Sequence, residues 1–241
     1  VVEGLNTTLF IILLIAHLLG DFYLQSRKIA DGKKKQYASL LLHGAVYASP
    51  IVLLGVFRMD IRLFWLALGF VLAHWLIDSI KFWALRDKQS PAIYIVDQLA
   101  HLASLWGLAA LFRDVAVYPQ VLQFFGSEGL PLDAFLKGLL LFLIILKPTN
   151  ITFKYLFTQF KPDDKSGKDK KNTGAVIGNL ERVLIASLLL VGQYTAIGLV
   201  ITGKSIARYK KIADEKDFAE YYLIGTFYSI LAVLVSFLIL W

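Results

Sequence analysis

Long apolar runs recur along the whole chain, at 8–24, 38–57, 61–83, 92–112, 133–158, 175–202 and 221–240. A helix rises 1.5 Å per residue, so runs of this length reach across the ~30 Å hydrocarbon core of a bilayer. The pattern predicts an all-α fold, a polytopic transmembrane helical bundle of about six to seven membrane helices. Two runs are interrupted. Lys147-Pro148 breaks the fifth, where proline kinks or ends a helix, and Glu181 and Arg182 fall near the start of the sixth.

The polar connections carry a topology signal. Arg27, Lys28, Lys33, Lys34 and Lys35 follow the first run, and Lys81, Arg86 and Lys88 follow the third. Lys161, Lys165, Lys168, Lys170 and Lys171 fill the 159–174 loop, whereas the 58–62 connection carries just Arg58 and Arg62 and 113–132 just Arg113. The positive-inside rule then places the N-terminus outside and the basic loops in the cytoplasm. Residues 203–218 disagree, because they carry Lys204, Arg208, Lys210, Lys211 and Lys216, yet strict alternation puts them outside. Either the sixth run does not fully cross, or this segment is an interfacial amphipathic helix. The expected organisation is a four-helix membrane bundle at 1–112 and an extracytoplasmic connection at 113–132. C-terminal membrane helices then fill 133–241, with basic loops at 159–174 and 203–218.

Composition excludes several classes. At 57% hydrophobic residues and a mean hydropathy of +0.63, the chain is too apolar for a soluble domain. A signal peptide does not account for this, since the apolar segments recur throughout. The chain opens Val1-Val2 with Met59 as its single methionine, which implies a processed or recombinant start. The lack of cysteine excludes disulfides, thiolate metal ligands and a cysteine nucleophile. The net charge of +7 resides in short connections, where topology and anionic lipid are a simpler account than nucleic acid.

The chemistry lies in the first four runs. His17 with Asp21, His74 with Asp78, and Asp97 with His101 are each four residues apart, which puts both members of a pair on one helix face. His43 stands alone. Ionisable residues inside a membrane span are costly and mark functional sites. His17, Asp21, His74 and Asp78 lie toward the ends of odd runs, and His43, Asp97 and His101 near the starts of even runs. In an alternating bundle all seven share one level, toward the cytoplasmic face. Taken singly, each pair reads equally well as structural, a packing histidine or an interfacial carboxylate, or as functional; the shared depth favours a metal or proton-handling site.

Imidazole and carboxylate together suit zinc, manganese or iron, so the expected metal ligands are His17, Asp21, His43, His74, Asp78, Asp97 and His101. Haem is not expected, because three of the four histidines have a carboxylate on their own face. Asp21, Asp78 and Asp97 are the candidate catalytic carboxylates, and an aspartate that does not ligate serves as general base or orients an imidazole. Gln25 and Gln98 are placed to orient water or substrate. Lys81 either pairs with Asp78, meets an anionic group, or snorkels to the interface.

In the C-terminal half, Lys147, Asn150, Glu181 and Arg182 fall at a similar level. Lys147 with Glu181 makes an ion pair, or Lys147 with Arg182 makes a pocket for a phosphate or carboxylate. Gly174 and Gly178 form a GxxxG that reads as close helix packing. GKSIARYKK at 203–211 lacks a complete P-loop, and Tyr221 and Tyr222 read as interfacial anchors.

AHLLGDFYLQS (16–26), LLLHGAVY (40–47), AHWLIDSIK (73–81) and VDQLAH (96–101) together resemble a bacterial integral-membrane family, domain-of-unknown-function family 3307. The resemblance covers residues 8–112, and GAVIGNLER (174–182) and AEYYLIGTFYS (219–229) are similar to longer members. It implies membership and imports no activity. The His/Asp pattern is also loosely similar to membrane-bound metal-dependent hydrolases, an analogy that does not itself establish function.

Three functions follow. The leading one is a metal-dependent hydrolase of the bacterial cytoplasmic membrane, acting on a lipid phosphate or lipid-linked anion held by Lys81, Lys147 and Arg182. The alternative is a divalent-metal or proton-coupled transporter using the same layer. The third is a scaffold or sensor with a structural site. The expected partners are the bilayer and a lipid substrate, not nucleic acid, and a homo-oligomer is compatible with the sequence.

Overall fold

The structure, a computed structural model, describes residues 6–33, 35–55, 61–85, 90–115, 131–162 and 173–241. Among these residues all regular structure is helical. Among the described residues, five helices are long and apolar enough to cross a membrane: Ile61–Leu85, Pro91–Leu111, Leu132–Phe160, Thr173–Leu190 and Lys216–Leu240. The protein is an integral membrane protein on that basis. Thr7–Tyr23, Tyr37–Val52 and Tyr194–Ala207 are shorter apolar helices. The chain forms two compact units, divided at Leu140–Leu141. Residues 116–130 of that connection, the 163–172 part of the basic loop, and Lys34, Arg86 and Lys88 lie outside the described residues.

In the first unit α1 (Thr7–Leu18) runs into a π-helical turn at Leu19–Tyr23, followed by the short α2 (Arg27–Gly32). Then come α3 (Tyr37–Gly55), α4 (Ile61–Leu85) and α5 (Pro91–Leu111). α1 packs on α3 and α5, α3 on α4, and α4 on α5, which closes a four-helix ring. The side-chain pattern suits lipid. In α4, Leu66, Phe70, His74, Asp78 and Phe82 are buried, while Phe64, Trp65, Leu72, Leu76, Ile80 and Trp83 are exposed. In α5, Asp97, His101, Leu105 and Ala109 are buried. Ionisable groups face inward and large apolar ones outward, the arrangement a hydrocarbon solvent selects. Leu9, Leu13, Leu66, Phe70, Leu105 and Ala109 form an apolar core that leaves the His/Asp layer to one end of the ring.

Local breaks are satisfied locally. Pro50, inside α3, has no N–H for the Val46 carbonyl, and the Ser49 hydroxyl donates to it instead at 2.8 Å. The π-helical turn lies close against α3 at Gly20, where a Cβ would stand 3.0 Å from both Cα and O of Tyr47. Backbone cannot swing aside as a side chain can. Gly20→Ala is therefore expected to part the two helices and cost about 1–3 kcal/mol. Thermal melting in detergent checks this, and an unchanged melt would refute it.

The second unit holds the end of α6 (Leu132–Ile145), then α7 (Lys147–Phe157), α8 (Thr173–Leu190), α9 (Tyr194–Ala207), α10 (Tyr209–Asp214) and α11 (Lys216–Leu240). Leu141, Ile145, Ile185, Ala186, Leu189 and Val233 form its core. As expected, the fifth run breaks at Lys147-Pro148. The sixth run, 175–202, is two helices rather than one. Gly192, at φ +71°, turns the chain back, so that Lys204 on α9 reaches Glu181 on α8 at 2.6 Å. Residues 203–218 thus return to the end from which α8 starts. The hairpin adds a reversal that a single sixth helix lacks.

Candidate metal centre

Four helices of the first unit bring His and Asp side chains to one point. His43 Nε2 lies 3.0 Å from His74 Nε2, 3.2 Å from Asp21 Oδ1 and 3.5 Å from Asp78 Oδ2. His74 Nε2 lies 3.6 Å from Asp78 Oδ2. A tetrahedral zinc ion with ligands at about 2.1 Å spaces neighbouring ligand atoms by about 3.4 Å. The observed separations bracket that edge. Among the described residues, two groups of three have ligand atoms within 4.8 Å of one another: Asp21, His43 and His74, and His74, Asp78 and His101. His74 is common to both. His43, His74 and His101 are no more than 2% exposed, so these polar atoms have little access to water.

Each ring is held differently. His101 Nδ1 donates to the Asp97 backbone carbonyl at 2.8 Å, which leaves Nε2 as the lone-pair nitrogen. That Nε2 is buried and makes no hydrogen bond among the described residues. The Nδ1 atoms of His43 and His74 are likewise buried and unbonded there, so packing orients these rings. Tyr47 stacks on His74 with centroids 3.5 Å apart and on Phe70 at 4.7 Å. Its hydroxyl meets His17 Nδ1 at 3.1 Å. His17 stacks on His101 at 5.3 Å but stands outside both groups.

Asp97 also stands outside both groups. Lys81 Nζ donates to its Oδ2 at 2.6 Å and Gln98 Nε2 at 3.3 Å, while Oδ1 is buried and unbonded among the described residues. Lys81 thus pairs across helices with Asp97 and not with Asp78. Gln25 is half-buried, and its Oε1 makes no hydrogen bond among the described residues.

Two residues join the site without a strong signal in the sequence. Tyr47, one helical turn after His43, is legible only as a neighbour on the same face. Lys33 reads only as a topology charge. Its ammonium lies 3.3 Å from Asp21 Oδ1, 3.2 Å from Asp78 Oδ2 and 3.2 Å from His43 Nε2. Burial works against its charge, but Asp21 and Asp78 outweigh that and hold its pKa above the ordinary lysine value.

Lys147 and Arg182 belong to the second unit. Glu181 pairs with Lys204, which also donates to Thr226 at 3.0 Å. Arg182 donates through Nε to the Ile145 carbonyl, through Nη1 to Ser229 at 3.3 Å, and through Nη2 to Asn150 at 2.7 Å and Asn179 at 2.8 Å. Pro148 offers the Ile144 carbonyl no N–H, and the Thr149 hydroxyl takes that place at 2.8 Å. Arg182 and Thr149 together satisfy the carbonyls freed by the break between α6 and α7. Gly178 makes room for this guanidinium, since a Cβ there would stand 3.1 Å from Nη1, whereas among the described residues a Cβ at Gly174 would meet nothing within 4 Å. At Gly178 the GxxxG accommodates an arginine of its own helix.

No curated protein and no solved structure matches the chain. Residues 9–125 match the model of a family described as "Protein of unknown function (DUF3307)". The segment that builds the four-helix ring and supplies every His and Asp of the cluster therefore belongs to the DUF3307 family.

Proposed function

We propose that the cluster binds a divalent ion, zinc, manganese or iron, and that the protein is a membrane-embedded metal-dependent hydrolase of a lipid phosphate or lipid-linked anion. The observation that carries this reading is the facing of His43 Nε2 and His74 Nε2 at 3.0 Å, with Asp21 and Asp78 oxygens at tetrahedral-edge distances from them. Asp21, His43, His74, Asp78 and His101 would hold one or two ions. A metal held there would supply Lewis acidity for a scissile group and lower the pKa of a bound water. Asp97, outside both ligand groups and with Oδ1 uncommitted, fits a general base held in place by Lys81 and Gln98. The basic segments after α1 and α4 support an external N-terminus and a site near the cytoplasmic face of a bacterial membrane.

A divalent-metal or proton-coupled transporter is the second reading. It is favoured by the break between α6 and α7 and by the buried Glu181–Lys204 pair. Elemental mass spectrometry of the detergent-purified protein comes first, with about one or two metal equivalents expected. The metal-loaded protein is then expected to release phosphate from dispersed phosphatidate or a lipid-linked pyrophosphate without any gradient. Metal flux into liposomes without such turnover would favour the transporter. No metal after reloading would sink the metal-centre reading.

A further inference from the structure

Lys33 occupies the place where a cation is wanted. Its ammonium sits between two carboxylates and an imidazole nitrogen that come from three different helices, at 3.2–3.3 Å from each. The placement is built. Ser26 caps α2 by accepting from the Ile29 N–H, and the carbonyl of Gly32 accepts from the N–H groups of Lys35 and Gln36 in a tight turn. Gly32 lies so near α3 that a Cβ would stand 2.7 Å from Ser39 Oγ. α2 is therefore pinned beside the start of α3, and Lys33 is presented to the site from that edge with 18% of its side chain exposed.

Against Asp21 and Asp78, one ammonium leaves the pair with a charge of −1 if the histidines are neutral. A divalent ion would satisfy the carboxylates more fully and would use the same lone pairs. With the ion in place, Lys33 can no longer donate to those atoms, and two cations side by side repel. An anionic group beside the ammonium would relieve that repulsion, and a phosphoryl group would offer Lys33 several such oxygens.

We propose that Lys33 is a substrate-binding residue of this centre: it holds the Asp21–Asp78–His43 position until metal arrives, and then receives the phosphoryl oxygens of the substrate. This rests on the metal-centre reading above. The chemistry recognised is a phosphoryl anion, whether free or carried on a lipid.

The test uses the full-length protein in detergent, with wild type, Lys33→Met and Lys33→Arg. Zinc or manganese is titrated first. Removing an internal competitor raises apparent affinity by the reciprocal of the fraction of time the site stands free, so with Lys33 holding the site about nine-tenths of the time Lys33→Met is expected to bind metal about tenfold more tightly. Inorganic phosphate, and separately dispersed phosphatidate, are then titrated into each metal-loaded protein. Lys33→Met is expected to bind the anion about tenfold more weakly than wild type, and Lys33→Arg to restore it. Lys33-dependent binding of phosphatidate alone identifies a lipid head group, and of both ligands a general phosphoryl site. Equal metal affinity in wild type and Lys33→Met, or equal anion affinity once loaded, overturns the proposal while leaving the metal centre standing. No metal bound by either protein overturns both, and the first titration shows that separately.

Discussion

Replacing His74 with alanine is expected to abolish metal binding altogether, from the one or two equivalents of the wild type to background. Its Nε2 faces His43 at 3.0 Å and Asp78 at 3.6 Å, and it is the one residue shared by both ligand groups. Losing even a group that only orients a ligand lowers metal affinity about 10–100-fold, so losing a shared ligand is expected to exceed that upper figure. His17→Ala provides the contrast. His17 bonds to Tyr47 and stands outside both groups, so that variant is expected to keep its metal. His74→Ala also opens space beside the stacked Tyr47 ring, so helical content and melting are measured alongside. His74→Phe keeps a ring against Tyr47 while removing both nitrogens, which separates ligation from packing. Metal retained by His74→Phe at wild-type affinity would refute the ligand assignment.

Arg182→Met is expected to destabilise the second unit by about 2–4 kcal/mol, because buried groups that lose a charged hydrogen-bonding partner bear the full desolvation cost. Four neutral acceptors on α6, α7, α8 and α11 meet this one guanidinium. Without it, the Ile145 carbonyl beside the proline break has no donor from Arg182 in a region that excludes water. The measurement is thermal melting in detergent, with far-ultraviolet circular dichroism to report helix loss. A phosphate-holding Arg182, the role expected from sequence, would behave oppositely: Arg182→Met would melt as wild type and lose anion binding. That result would return Arg182 to the substrate site.

The His/Asp layer is legible in the amino-acid sequence because depth in a membrane bundle can be counted. Asp21, His43, Asp78 and His101 fall at corresponding ends of successive runs, and they do meet. Lateral partnership is not legible there. Lys81 is three residues from Asp78 yet bonds to Asp97, because helix rotation within the ring turns it toward α5. Lys33 lies in a basic stretch that looks like topology alone, and only the folding of α2 against Ser39 brings it to Asp21. Glu181 meets Lys204, a partner the apolar runs do not suggest, because Gly192 reverses the chain inside what reads as one run. Gly192 followed by polar Gln193 is the available sign of that reversal, as Ser49-Pro50 is of the irregularity in α3.

What the sequence determined by itself is the axial dimension: which segments are long and apolar enough to span, and at what height each ionisable residue sits. Both follow from a fixed rise per residue and from the cost of exposing charge to hydrocarbon. What only the tertiary structure decided is the lateral dimension: which of the groups at one height touch. That depends on close approaches such as Gly20 on Tyr47, on the rotation each helix adopts to pack, and on donors such as Ser49, Thr149 and Arg182 that make broken helices tolerable inside a membrane.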